Sequence, residues 1–210
     1  MYAQYITHSG SDKMVSDAAR VSFANHDWTA PLTDKDAGLI DFLARHNHKS
    51  PFNHCFLTLE CEAPVYLARQ LQKHEYMPWN EESKRYRDVP PTFHNQQMRK
   101  RADNVKQGST DEAVNLDGFW EVKMLEAKQN YQFLLDQGVA PECARAVLPQ
   151  SMNTRWVWSG TLFAFCKMIN LRDDSHAQRE AQDFAKMVAA IVSKHFPLSY
   201  KALCNDHRNN

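Results

Sequence analysis

CFLTLECEAPVYLARQLQKHEYMPWNEESKRYRD, Cys55 to Asp88, changes its period as it runs. In CFLTLECE, Phe56, Thr58, Glu60 and Glu62 point one way and Cys55, Leu57, Leu59 and Cys61 the other. That two-residue alternation predicts a strand over Cys55 to Glu62. Pro64 is placed for the first turn of a helix, which the spacing carries from Val65 to about His74. Pro78 disfavours helix at Met77, so Met77 to Trp79 ends the element. NEESKRYRD, Asn80 to Asp88, then offers almost nothing to a core, since seven of its nine residues are ionisable. Such a run is either a solvated loop or the lining of a polar pocket.

Working outward, Tyr2 to Thr7 reads as a first strand. Asp34 to Arg45 carries Leu39, Ile40, Phe42 and Leu43 at helical spacing, with Thr33 as N-cap. Downstream, Asp88 to Gln107 is a long excursion rich in Pro, Asn, Gln, Arg and Lys. Its length suggests a lid. Leu116 to Gln137 is a long amphipathic helix stopped by Gly138. Pro141 to Leu148, Ser159 to Ile169 and Ser175 to His195 also read as helices. Helices with a few strands and no regular β-α alternation predict the α+β class. A length of 210 residues fits a single domain, residues 1–210.

Composition narrows the function classes. With 25 basic and 25 acidic residues the formal net charge is zero, which gives no basic face for nucleic acid. A local basic pocket for a small anion is still allowed. No apolar run approaches the ~18 residues that span a bilayer, and the start of the sequence has no secretory pattern. The five cysteines are odd in number, widely spaced and without a C-x-x-C pair. They suggest neither a zinc ribbon nor a disulfide framework, and fit a reducing, cytoplasmic setting.

Five polar clusters remain. HNHKSPFNH, His46 to His54, holds three histidines but no carboxylate or cysteine at a metal spacing, so pocket or loop histidines are the better reading and no metal is expected. In ARQLQKH, Ala68 to His74, a helix would bring Arg69, Gln72 and Lys73 within a turn and set Gln70 and His74 on one face. Cation, amide and imidazole suit a phosphate beside a planar heterocycle, and equally a solvated helix face. In NEESKRYRD, Ser83, Lys84 and Arg85 can surround a phosphate and the carboxylates can accept from sugar hydroxyls or ring N–H groups. No glycine-rich cradle is present, which excludes Walker and dinucleotide fingerprints. Arg145 in ARAVLP lies among apolar residues and needs an anionic partner, protein or ligand. In NLRDDSHAQRE, Asp173, Asp174 or Ser175 can cap the following helix. Arg172 then stands before the positive end of that helix, a mildly costly place that suggests a task.

These clusters, in this order, resemble the flavin-dependent thymidylate synthases. The family signature is R-H-R followed by S-x-R-Y, with N-E ahead of the serine. KHEYMPWNEESKRY, Lys73 to Tyr86, matches it at His74, Asn80, Glu81, Ser83, Arg85 and Tyr86. HNHKSPFNH is similar to the family's H-x-H-E-S/T-P-F-E-H at His46, His48, Ser50, Pro51, Phe52 and His54. APVYLARQ, ARAVLP and LRDDSHAQRE match the segments expected around them. The resemblance spans about Leu39 to Pro197. It departs at Lys73 and Glu75 of the triplet, at Asn53, and at Thr161-Leu162-Phe163, where the family has N-x-R. The departures fall on the flavin side more than on the nucleotide side.

The resemblance implies a small, mostly antiparallel sheet flanked by long helices. It implies transfer of a one-carbon unit from methylene-tetrahydrofolate to C5 of deoxyuridylate, with FAD as cofactor and NADPH as reductant, in a homotetramer. No cysteine attacks the pyrimidine in this family. Arg172 would be catalytic, polarising the uracil ring. Gln70, Lys73, Glu81, Ser83, Arg85, Arg145 and Arg172 would bind deoxyuridylate, and Ser50, His74, Asn80 and Glu81 would touch FAD. The departures leave open C5 hydroxymethylation of dUMP or dCMP, and a nucleotide-binding relative without catalysis.

Overall fold

β1 (Tyr2–Ser9) ends at Gly10, whose φ of +83° suits glycine. Ser11 then caps α1 (Asp12–Arg20), its Oγ accepting from the Met14 N–H at 3.3 Å. α2 (Asp34–Arg45) starts where the sequence places it, because Thr33 and Asp36 cap each other reciprocally. There follow a 3-10 turn (Ser50–His54), β2 (Phe56–Pro64), α3 (Val65–Leu71), β3 (Trp79–Glu81), β4 (Arg99–Arg101) and β5 (Ser109–Ala113). Then come α4 (Phe119–Asp136), α5 (Pro141–Ala144), a 3-10 turn (Arg145–Val147), β6 (Asn153–Thr161), α6 (Leu162–Arg172), α7 (Arg179–His195) and α8 (Pro197–Cys204). The computed structural model describes residues 1–86, 89–103 and 108–204. The expected α+β class is what forms.

One four-stranded sheet has the order β1-β2-β6-β3, and β4 pairs with β5. β2 and β6 are antiparallel: the Val65 N–H meets the Met152 carbonyl at 2.9 Å, while Thr58 and Ser159 hydroxyls meet at 3.0 Å. β6 and β3 are antiparallel as well: the Ser159 N–H meets the Pro78 carbonyl at 3.1 Å and the Glu82 N–H meets the Arg155 carbonyl at 2.8 Å.

The chain divides into two compact units. One comprises Tyr2–Cys61, Leu71–Trp79 and the described chain from Val157 on. Its core is Val15, Ile40, Leu57, Leu59, Trp158 and Phe165 with the helical stripe Phe184, Val188, Val192 of α7, all buried. Buried Asp12 accepts from the Leu198 and Ser199 N–H groups at 2.9 and 3.0 Å and from the Ser199 hydroxyl at 2.6 Å, which ties the start of α8 to α1. The other unit comprises Met1, Glu62–Gln70 and the described part of Asn80–Trp156. Here Tyr131 and Trp156 are buried, and α3 is held at its start by N–H bonds to Met152 and Gln150.

Several expected boundaries move. β6 was expected to lie partly in a helix over Ser159 to Ile169. Instead NTRWVWSGT alternates, burying Thr154, Trp156, Trp158 and Gly160. The helix begins only after Thr161, whose Oγ1 accepts from the Ala164 N–H. Pro64 ends a strand rather than starting a helix, and α3 stops at Leu71 rather than His74. α4 starts at Phe119 and α7 at Arg179, later than expected. Gly138 does stop α4: the Gly138 and Val139 N–H groups bond Leu135 and Leu134 carbonyls, closing its C-terminus. Of the Asp88 to Gln107 excursion, residues 88 and 104–107 lie outside the described residues, as do 87 and 88 at the end of NEESKRYRD. Its described part contributes β4 to a hairpin.

Candidate functional site

In the unit that holds α6, Arg172 is the last residue of that helix. This corrects the electrostatic reasoning from sequence. A cation at a helix C-terminus is favourable, and the next helix starts only at Arg179 with Gln178 as N-cap and no side-chain cap. What distinguishes Arg172 is a contact. Its Nε donates to Nε2 of His74 at 3.1 Å, and both residues are half-buried.

His74 sits in the turn that follows α3, its N–H bonded to the Leu71 carbonyl at 3.1 Å. Burial, then the charges of Arg172 and Lys167, lower its pKa to about 4. The imidazole is therefore neutral near pH 7. Because Nε2 accepts, the proton is on Nδ1. Burial also lowers the pKa of Arg172. Since α3 ends at Leu71, Lys73 does not share a helical turn with Arg69 and Gln72, nor does His74 share a helix face with Gln70. Lys73 and Glu75 are exposed in the turn. Tyr76 beside them is 88% exposed and has a φ of +58°, a strained value for a residue with a Cβ.

Ser50, exposed, opens a separate turn of the same unit, anchored by buried Pro51 and Phe52. His46 donates through Nδ1 to the Phe42 carbonyl at 2.8 Å, and its ring stacks on Phe42 at 4.0 Å. Among the described residues no three His, Cys, Asp or Glu side chains converge as a metal site. Asn53, Thr161 and Phe163, three of the residues that depart from the family pattern, lie in this unit. The Thr161 hydroxyl donates to Asn53 Oδ1 at 2.8 Å, and Lys49 lies 5.6 Å from the centre of the Phe163 ring. Lys49 was missed from sequence. The signal was available, since it stands at the glutamate position of H-x-H-E.

The other unit carries Gln70 on α3, half-buried, and Asn80 and Glu81 on β3. Thr154 Oγ1, on β6 and 7% exposed, donates to Glu81 Oε1 at 2.6 Å. Thr154 also lines a cleft of about 180 Å³ with Glu62, Glu82, Lys84 and Arg155. The Ser83 hydroxyl accepts from the Arg85 N–H at 3.2 Å, and Arg85 lies over the Tyr86 ring and donates to its hydroxyl at 2.7 Å. Arg145 is exposed despite its apolar neighbours in sequence, so burial does not demand an anionic partner for it, and its Nε donates to the Glu142 carbonyl at 3.2 Å. The structure thus joins His74 to Arg172, Thr154 to Glu81 and Ser83 to Arg85.

Cys55, Cys61, Cys166 and Cys204 are buried free thiols, and Cys143 is exposed. Burial pushes Cys55 up to about 11 and Cys61 higher still. Thiols held neutral in this way are poor nucleophiles.

Comparison with known proteins fits these features. The family model for thymidylate synthase complementing protein matches residues 4–198. A flavin-dependent thymidylate synthase of Kosmotoga olearia is 37% identical over 93% of this chain and 86% of its own length. That of Thermotoga neapolitana is 34% identical over 96% and 89%. Among solved structures, a UMP/dUMP methylase, PolB, from Streptomyces cacaoi bound with 5-Br dUMP superposes with a TM-score of 0.84. It is 31% identical, and the match covers 97% of this chain and 94% of that one. Motif order, fold and family model agree over nearly the whole sequence, and this chain belongs to the thymidylate synthase complementing protein family.

Proposed function

We propose that this protein transfers the one-carbon unit of methylene-tetrahydrofolate to C5 of deoxyuridylate and releases thymidylate. The observation that carries the reading is Arg172, a half-buried guanidinium hydrogen-bonded to a neutral imidazole, within a chain whose family match is almost complete. C5 of uracil is a weak nucleophile. A planar cation on the O2–N3 edge stabilises negative charge held on that edge once N3 has given up its proton, and C5 of that electron-rich ring is the stronger nucleophile.

Lys73, Ser83, Arg85 and Arg145 supply the cations and hydroxyl that suit the nucleotide phosphate. Gln70 and Glu81 suit the sugar or ring, and the Thr154 bond fixes the Glu81 carboxylate. For FAD the donor set fits: Ser50 offers an exposed hydroxyl, His74 a neutral Nδ1–H, and Asn80 and Glu81 an amide and a carboxylate. Lys49 adds a cation in the unit where Glu75 would repel phosphate. A bound flavin, recharged by NADPH, supplies the reducing equivalents that turn the transferred methylene into methyl.

The family match runs from residue 4 to 198 through both units, which supports treating them as one functional domain. Exposed apolar side chains support self-association, of which the homotetramer implied by the resemblance is the form we propose: Phe23 is 83% exposed, and Phe119, Val122, Leu125 and Phe133 are exposed on α4. Among the described residues no helix is long and apolar enough to cross a membrane. Free thiols suit a cytoplasmic setting.

The test is one incubation of purified protein with FAD, NADPH, methylene-tetrahydrofolate and either dUMP or UMP, followed by mass spectrometry of the nucleotides. A methyl-sized gain on dUMP is expected. UMP belongs in the assay because the Streptomyces cacaoi neighbour is described as a UMP/dUMP methylase. A hydroxymethyl-sized gain, or none, would overturn the reading.

A further inference from the structure

We propose that His74 is a positioning residue for Arg172: its Nε2 accepts the Arg172 Nε–H and thereby sets the plane in which the guanidinium meets the uracil edge. The inference rests on the reading of Arg172 given above and adds a role to a residue otherwise expected only to touch flavin.

Both partners are fixed before they meet. The turn carrying His74 is held at its start by the His74 N–H on the Leu71 carbonyl at 3.1 Å. It is held at its far end by the Pro78 carbonyl, which accepts from Ser159 of β6 at 3.1 Å. Between them Met77 is buried, and a Cβ built on Gly160 would come within 3.1 Å of its side chain. Arg172 ends the helix that the same strand, β6, leads into through the Thr161 cap. One corner of the fold therefore sets both the imidazole and the helix that carries the guanidinium.

The chemistry of the acceptor matters. A carboxylate at this place would neutralise the arginine and weaken its pull on a developing negative charge. A neutral imidazole orients the guanidinium and leaves its charge intact. Among the described residues the charged groups acting on His74 are Arg172 and Lys167 of α6, with Lys73 and Glu75 exposed on its own turn. Protonation of His74 removes the acceptor and places another cation beside two existing ones. Acid should therefore impair the reaction through this pair.

The experiment compares His74→Gln and His74→Leu with wild type, all saturated with FAD. Gln retains an acceptor near the Nε2 position but does not titrate; Leu has none. Measured are kcat and KM for deoxyuridylate across pH, FAD affinity by titration, and deoxyuridylate affinity by calorimetry. His74→Leu is expected to lower kcat about 10- to 100-fold, the scale of a misplaced catalytic group. His74→Gln is expected to restore kcat to within about threefold and to lose the acid limb that wild type shows as His74 protonates. If His74→Leu does not fold, the Gln profile alone decides. A Gln variant with the wild-type acid limb, or a Leu variant that loses only FAD affinity, would overturn the proposal. Arg172→Ala run in parallel separates the two levels: full turnover by that variant would refute the reading of Arg172 itself.

Discussion

Asp36 concentrates more stabilising contacts than any sequence motif advertised. It accepts from Thr33, Ser16 and Arg20 while almost fully buried. Burial alone would raise its pKa, but the bonds from Thr33, Arg20 and Ser16 outweigh it and hold the carboxyl well below the usual range. Asp36→Ala should cost about 2–4 kcal/mol, the sum of a lost helix cap and charged hydrogen bonds; chemical denaturation measures it, and a change within about 0.5 kcal/mol would contradict the assignment. His74 gives the pH sign. Its folded value of about 4 lies below the ordinary ~6.5, so the unfolded chain binds more protons between these values. Stability should rise with pH across that window, and His74→Gln should flatten the slope there. At this scale the sequence showed which residues to watch, because five polar motifs fell in order. It did not show that His74 and Arg172 touch across 98 positions, nor that Thr154 holds Glu81, because neither pairing leaves a local signal.

At the scale of elements, strands and helices were legible where one period ran to a clear stop. Thr33 marked α2 and Gly138 ended α4. β6 was misread because its alternation passes directly into the apolar helix α6, and Thr161, last in the strand, is also the cap. α3 was drawn a turn too long, since Gln72 to Glu75 have good helix propensity and only the φ of +58° at Tyr76 reveals the turn. The link from β1 to α1 is a tight joint. A Cβ at Gly10 would sit 2.6 Å from Cys55 Sγ, and its φ is +83°. Gly10→Ala should therefore destabilise by about 2–4 kcal/mol, combining left-handed strain with overpacking. A thermal midpoint equal to wild type would show that this corner relaxes at no cost.

For the whole molecule, the α+β class followed from helices interrupted by few strands, and the family match over 4–198 agrees with the motif order. The exposed side chains of α4 were harder to interpret from sequence, because the helical spacing there puts Phe119, Trp120, Met124, Tyr131, Leu134 and Leu135 on or near one apolar stripe and singles out neither Leu125 nor Phe133. In the structure only Tyr131 of that helix is buried. An assembly that covers the exposed side chains should dissociate when Leu125→Glu and Phe133→Glu are combined, with a smaller particle by light scattering. An unchanged mass would remove α4 from the interface. The central claim concerns carbon transfer and Arg172. Its most direct measurement supplies methylene-tetrahydrofolate labelled with carbon-13 at the methylene and follows the label into the nucleotide by mass spectrometry. Label should appear as a C5 methyl on deoxyuridylate with wild-type protein and fall about 10²- to 10³-fold in rate with Arg172→Ala. Equal labelling by both proteins would contradict the role given to Arg172, and no label with either would contradict the transfer itself.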